Sequence, residues 1–291
     1  MKKLLLLIAL FTAVTGKMSA QQTDTYFPYP IVPDSISNLQ DRTDYLIAHF
    51  WDFCDLKKAF NNKQKMGEAF RQYLEFMPYA SARNAYKSIA IFLKNLEKQP
   101  NDILFLAQKA EEFVHSDTAE IYSDDLFLPF ARAVVDHKKI SSQDKKPFEK
   151  VVKVLSYTQK GMPVPTFNYK DRQGQTKTFE PDSSEVTIIF FASPDCIDCT
   201  LARSRLKADI RASGYVKDGV MRIMVINPGS EEGWAETAEK YPEEWEVVSA
   251  PGIDEIFDVR FIPSFYVVDE QNIIQLKNIN IDTLLNLISR L

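Results

Sequence analysis

Two rhythms of apolar residues divide the chain. From Leu39 to about Gln159 the apolar positions recur every three or four residues, which is the helical period. Tyr45, Leu46, Phe50, Phe53 and Cys54 line one such stripe, and Leu126, Phe127, Phe130, Ala131 and Val134 line another. The pattern predicts helices near 39–60, 64–76, 80–98, 101–115, 124–138 and 144–159. Breaks fall at Met77-Pro78, at Gln99-Pro100-Asn101-Asp102 and at Ile140-Ser141-Ser142-Gln143. The helices differ in length and share no repeated signature, which argues against a regular solenoid.

After Lys160 the apolar residues come in short β-branched and aromatic runs. Thr166–Phe179 reads as a hairpin around Gly174, and strands follow at Val186–Ala192, Val220–Ile226, Glu246–Ser249, Ser264–Asp269 and Ile273–Lys277. Helices are expected from Cys196 to about Ala212, at about 231–240 and from Ile281 to Leu291, with a helical turn at Asp254–Asp258. This order predicts an α/β fold, a mixed central sheet with helices on both faces, preceded by an irregular all-α domain.

The stretch Lys160-Gly161-Met162-Pro163-Val164-Pro165 lies where the rhythm changes and marks the boundary between residues 39–159 and 160–291. Before the helices, residues 21–38 are rich in proline and aromatic residues, including Tyr26-Phe27-Pro28-Tyr29-Pro30. They are expected to form an extended arm laid against the helical domain. Residues 1–20 have the pattern of an export leader: Met1-Lys2-Lys3, an apolar run Leu4–Val14, then Lys17-Met18-Ser19-Ala20. The apolar run is too short for a permanent membrane span, and no cysteine follows it to take a lipid anchor. The expectation is a soluble exported protein, periplasmic in a bacterium.

At 45% hydrophobic and 26% charged residues, either half of the 291-residue chain can bury a core. A net charge of −5 supplies no basic surface for nucleic acid or an anionic membrane. Three cysteines do not make a disulfide scaffold, so attention falls on the closely spaced Cys196 and Cys199. They sit on the first turn of a helix that leaves a buried strand. Unsatisfied N–H groups and the positive end of the helix favour a thiolate there, and the C-x-x-C spacing lets the second sulfur resolve a mixed disulfide on the first. A structural disulfide is the plainer reading of the same pair. Zinc needs four ligands, and His49, His115 and His137 all lie in the other domain. No cofactor is expected. Cys54, in an aromatic-rich helix, reads as a buried inert thiol, and the histidines as surface or packing residues.

Phe191-Ala192-Ser193-Pro194-Asp195-Cys196-Ile197-Asp198-Cys199, taken with Arg260-Phe261-Ile262-Pro263-Ser264-Phe265, resembles the thioredoxin superfamily. Gly161-Met162-Pro163-Val164-Pro165-Thr166-Phe167 is similar to the opening of its exported, TlpA-like thiol–disulfide oxidoreductases. Tyr29-Pro30-Ile31-Val32-Pro33 and Phe50-Trp51-Asp52-Phe53 resemble a domain of unknown function that precedes thioredoxin-like domains in exported Bacteroidetes proteins. The resemblance implies that Cys196 is the nucleophile and Cys199 the resolving thiol. It also implies that Ile262 and a cis Pro263 form a substrate-binding edge, and that the partners are protein disulfides or dithiols and an upstream redox protein.

Three features depart from that family. Asp195 replaces the aromatic before the first cysteine, Ile197-Asp198 fills the C-x-x-C, and Phe190 and Ala202 stand where many relatives carry a buried acid. Asp195 and Asp198 have the spacing of an N-cap and a capping-box acid, and their charge opposes the helix dipole. A reductase or isomerase is therefore expected rather than a strong oxidant. The competing function is a non-catalytic binding or scaffold protein whose C-x-x-C is a structural disulfide.

Overall fold

The computed structural model describes residues 25–116, 118–119, 121–182 and 184–291. The leader expected at 1–20 lies outside them, as do the first residues of the arm. The helical part contains Leu39–His49 (α1), Leu56–Ala59 (α2), Lys63–Phe76 (α3), Ala82–Asn95 (α4), Pro100–Val114 (α5), Asp124–Asp136 (α6) and Ser142–Tyr157 (α7). Short polar side chains start most of them. Asn38, Asn62, Ser81, Ser123 and Ser141 each accept a hydrogen bond from a first-turn N–H. Pro100 begins α5, where its missing N–H has no partner to lose.

The helix expected over 39–60 is broken instead after His49. Phe50 and Trp51 enter the same aromatic cluster, Phe50 5.2 Å from Tyr73 and Trp51 stacked 4.2 Å from Phe92. Successive residues on a helix diverge by about 100°, so a continued helix would carry one of the two out of the core. The chain turns, leaves Phe53 exposed and restarts at Leu56. Phe70, Tyr73, Phe92 and Phe130 complete a core in which each fully buried side chain of this size gains about 1.5–3 kcal/mol on leaving water. The arm contributes Phe27 to this core, and Tyr26 donates to Ala59 O at 3.0 Å.

The second part runs through Asn168–Lys170 (β1), Thr176–Thr178 (β2), Val186–Phe191 (β3), Ile197–Ala208 (α8), Ile210–Lys217 (α9), Met221–Asn227 (β4), Trp234–Ala238 (α10), Glu246–Ser249 (β5), Ser264–Asp269 (β6), Ile274–Ile279 (β7) and Ile281–Ile288 (α11). The sheet order is β2-β1-β5-β4-β3-β6-β7. β3 is parallel to β4 and antiparallel to β6, so the sheet is mixed and β3 lies inside it. Alternate residues of β3 serve opposite faces. Ile188 and Phe190 pack with α8, α9, α10 and α11, and Ile189 and Phe191 pack with Phe167, Phe179, Ile253 and Phe257. Ile253–Glu255 is a single 3-10 turn, and Lys150 of α7 pairs with Asp254 and Glu255 beside it.

The helix expected from Cys196 to Ala212 is two helices. Asp209 takes an extended conformation, and its carboxylate accepts from the N–H groups of Arg211 and Ala212 at 3.0 Å each. An aspartate that can cap a new helix competes with continuation of the old one.

Candidate redox site

β3 delivers the chain to the upper edge of the sheet, and Ser193-Pro194-Asp195 turns it into α8. Cys196 occupies the N-cap position. Its Sγ accepts from the Cys199 N–H at 2.9 Å, which satisfies one of the helix's open donors. Asp195, expected as the cap, is exposed one residue further out, because the sulfur already fills the capping place. Asp198 lies in the first turn of α8 and is also exposed.

Cys196 and Cys199 are joined as a disulfide with Cα atoms 5.1 Å apart. The sulfurs are not equivalent. Cys196 is partly exposed at the surface, whereas Cys199 is 1% exposed in a cluster with Phe190, Ala202, Leu206 and Phe265. Phe190 stacks on Phe265 at 4.5 Å, so an aromatic pair takes the space that a buried acid would need. Ile197 is 85% exposed beside the disulfide, and Leu201 follows one turn later, 56% exposed.

The Ile262–Pro263 bond is cis. Ile262 O lies 3.8 Å from Cys196 Sγ, which brings Cys196, Ile262 and Pro263 to one edge although 66 residues separate the first two. A disulfide with one accessible and one buried sulfur, next to partly exposed loop backbone, has the geometry needed for attack at Cys196. Among the described residues, no group of three or more His, Cys, Asp or Glu is placed to hold a metal ion. No described helix is long and apolar enough to cross a membrane.

Beside this edge is a charged cluster that residue spacing did not disclose. Asp124 Oδ1 accepts from His115 Nδ1 at 2.9 Å, from the Tyr122 hydroxyl at 3.1 Å and from Arg260 Nη2 at 3.0 Å, while Lys277 Nζ is 2.7 Å from Oδ2. Arg260 Nε also donates to Asp258 Oδ1 at 2.7 Å, and Asn278 donates to Asp258 Oδ2 at 2.9 Å. Burial opposes charge on Asp124, but His115, Lys277 and Arg260 overcome it and hold the carboxyl well below the usual range. Burial likewise opposes charge on Arg260, and Asp258, Tyr122 and Asp124 outweigh it, keeping the guanidinium protonated above its ordinary range. Burial, with Asp258 and Asp124 adding to it, pushes the Tyr122 hydroxyl far up. From the sequence, Asp124 reads as the start of a helix and His115 as a surface or packing residue. Arg260 and Lys277 lie more than a hundred residues from Asp124, so local spacing carries no signal of the cluster.

The mixed sheet, with paired cysteines where a strand meets a helix, defines a thioredoxin-like fold. A thioredoxin-like protein from Bacteroides caccae has a similar solved structure, with a TM-score of 0.79 at 16% identity, covering 92% of this chain and 99% of that one. The chain belongs to the family described as a domain of unknown function (DUF5106), whose model matches residues 12–158. Two further solved structures are similar over 45% of the chain. One is a conserved protein of unknown function from Bacteroides fragilis, at 24% identity and a TM-score of 0.43, covering 45% of this chain and 98% of that one. The other is the thioredoxin domain of a thiol-disulfide oxidoreductase from Bacteroides vulgatus, at 18% and 0.39, covering 45% and 96%. No curated protein matches the chain.

Proposed function

We propose that the chain is an exported, TlpA-like thiol–disulfide oxidoreductase acting on protein substrates, with reduction or isomerisation as its direction. The observation that carries the reading is the asymmetry of the Cys196–Cys199 disulfide: Cys196 reaches the surface with Ile262 O 3.8 Å away, and Cys199 is buried behind it. In the reduced protein the Cys196 thiolate attacks a substrate disulfide, forming a mixed disulfide and releasing one substrate thiolate. Cys199, deprotonated, then attacks Cys196 Sγ, which releases the second substrate thiolate and closes the Cys196–Cys199 disulfide. Two electrons pass to the substrate, its two thiolates take up two protons, and an upstream dithiol restores the pair.

Each remaining residue has a place in this reading. The Cys199 N–H and the positive end of α8 stabilise charge on the Cys196 sulfur. Asp195 and Asp198, both exposed, moderate that stabilisation. Ile262 and Pro263 offer backbone to an extended substrate strand. Residues 160–291 form the catalytic domain, and residues 39–159, with the arm packed on them through Tyr26 and Phe27, position the partner. Residues 1–20 are the leader that carries the chain to the periplasm.

Insulin-disulfide reduction by the wild type, set against Cys196→Ala, is the test. Turnover that disappears with the substitution supports the reading, and activity that survives it, or is absent from both proteins, refutes it. Cys199→Ala is expected to accumulate mixed disulfides in cells, because the resolving step is lost. A complete lack of trapped protein favours the scaffold function instead.

A further inference from the structure

The loop that faces the disulfide is fastened to the helical part of the chain through the two residues just before Ile262. Arg260 Nη1 donates to His115 O at 2.6 Å, and Nη2 reaches Asp124 Oδ1 at 3.0 Å and the Tyr122 hydroxyl. On the opposite side its Nε donates to Asp258 Oδ1 in the same loop. Phe261 meets the Tyr122 ring edge-on, with centroids 5.2 Å apart. The next residue is Ile262, whose carbonyl lies 3.8 Å from Cys196 Sγ. A continuous set of contacts therefore runs from the segment between α5 and α6, through Arg260 and Phe261, to the reacting sulfur.

We infer that Arg260 is a positioning residue: by tying its own loop to Asp124, Tyr122 and His115 it fixes the Ile262–Pro263 edge against which a substrate polypeptide is held while Cys196 reacts. The inference rests on the redox reading above and adds to it a task for the helical part. The planar five-donor fork of arginine suits a site with one carbonyl, one hydroxyl and two carboxylates arranged around it, and lysine cannot reproduce that geometry. A protein substrate uses the edge, so its rate depends on where the loop stands, since a displacement of about 1 Å can cost as much as about 100-fold. A small disulfide reaches Cys196 without lying along the loop, and its rate does not depend on Arg260.

The experiment compares the wild type with Arg260→Ala, Arg260→Lys and Tyr122→Phe in the full chain. Two substrates are used, insulin and the small aromatic disulfide dithiobisnitrobenzoate, and the Cys196–Cys199 potential is measured in a glutathione buffer. The expected result for Arg260→Ala is a rise of about tenfold in KM for insulin, the size of a typical coupling between sites. Its rate with the small disulfide and its potential stay at the wild-type values. Arg260→Lys behaves like the alanine variant, and Tyr122→Phe shifts KM in the same direction by less.

Wild-type insulin kinetics in a folded Arg260→Ala variant overturn the inference. An equal loss with both substrates overturns it too, because that marks general damage to the fold. Should Arg260→Ala fail to fold, Tyr122→Phe carries the same comparison: it keeps the ring against Phe261 and removes a single hydroxyl. A wild type that reduces neither disulfide overturns the redox reading and this role with it. A wild type that reduces both, with unchanged variants, overturns only the role of Arg260.

Discussion

Replacing Asp124 by asparagine removes the one carboxylate that His115, Tyr122, Arg260 and Lys277 share. Oδ1 accepts from three groups, and Oδ2 is ion-paired with the Lys277 ammonium at 2.7 Å. Whichever way an asparagine amide is turned, it points an N–H2 at a cation or at several donors. Asp124 is 8% exposed, so the cations it leaves behind are poorly compensated by water. Breaking a buried pair by removing one partner costs about 3–5 kcal/mol at neutral pH. The same geometry fixes a pH dependence. The folded-state pKa is depressed, so the contribution is fully present above the unfolded value of about 3.9 and is lost as pH falls below it. In that window one proton more is bound by the unfolded chain, and the wild type loses about 1.4 kcal/mol per pH unit relative to the asparagine variant. The assay is urea unfolding of both proteins from pH 6 down to about pH 2.5, below the ordinary carboxylate range. It is followed by far-ultraviolet circular dichroism and by emission from Trp51, Trp234 and Trp245, which report both parts of the chain. Other acids, such as Glu68 and Asp171, titrate in both proteins and cancel in the difference. A stability gap that stays constant across the acid range shows that Asp124 is not held ionised by its neighbours, and refutes the reasoning.

Two smaller effects are open to measurement. Burial, assisted by the Asp55 carboxylate, pushes the Cys54 thiol up to about 11. At pH 8 roughly one part in a thousand is thiolate, against about a quarter for an ordinary cysteine. Iodoacetamide should therefore modify Cys54 at least about tenfold more slowly than free cysteine, after allowing for the greater nucleophilicity of a more basic thiolate; an equal rate contradicts the burial. Gly252 has φ +84°, with nothing within 4 Å of an added Cβ, so Gly252→Ala carries backbone strain alone. The expected cost is about 1–2 kcal/mol in a thermal or urea melt, and an unchanged melt would show that the turn before Ile253 relaxes freely.

The placement of the two cysteines was legible because its determinants are local. A β-branched and aromatic run followed by Ser193-Pro194-Asp195 and two cysteines can only put those cysteines where a buried strand becomes a helix. The helices were legible in existence more than in extent. His49 ends α1 because Phe50 and Trp51 must both reach the core, and Asp209 divides the cysteine-bearing helix because its carboxylate offers a competing cap. Both are tertiary or side-chain decisions that a 3.6-residue period does not record. The identity of the cap differs for a related reason: Asp195 has the better intrinsic propensity, but the Cys196 sulfur is the atom that accepts from the Cys199 N–H. The Arg260 cluster was the least legible. Its carboxylates and donors come from the segment between α5 and α6, from α6, from β7 and from the loop before β6, and only the folded chain brings them together.

The charges around Cys196 can be ranked by distance and solvent. The favourable influence is a backbone N–H at 2.9 Å, backed by the aligned peptides of α8, and it acts on the sulfur directly. The unfavourable influence comes from Asp195 and Asp198, which are exposed, so water and salt screen them strongly. In the reduced protein, charge on the Cys196 sulfur is therefore aided at contact distance by the N–H and opposed only through screening solvent by the two carboxylates. Beneath it, Phe190 and Phe265 leave Cys199 in an apolar cluster with Ala202 and Leu206. On the redox reading proposed above, no carboxylate stands at Phe190 or Ala202 to take the Cys199 proton, and the substrate thiolate released by the first attack is the base that the reaction itself supplies. On that reading the transfer is favoured while the released thiolate stays close, which links turnover to how firmly the substrate is held at the Ile262–Pro263 edge. A site without a base at those two positions gains from substrate positioning on that reading, and the loop that would do the positioning is anchored by Arg260 to the helical part of the chain.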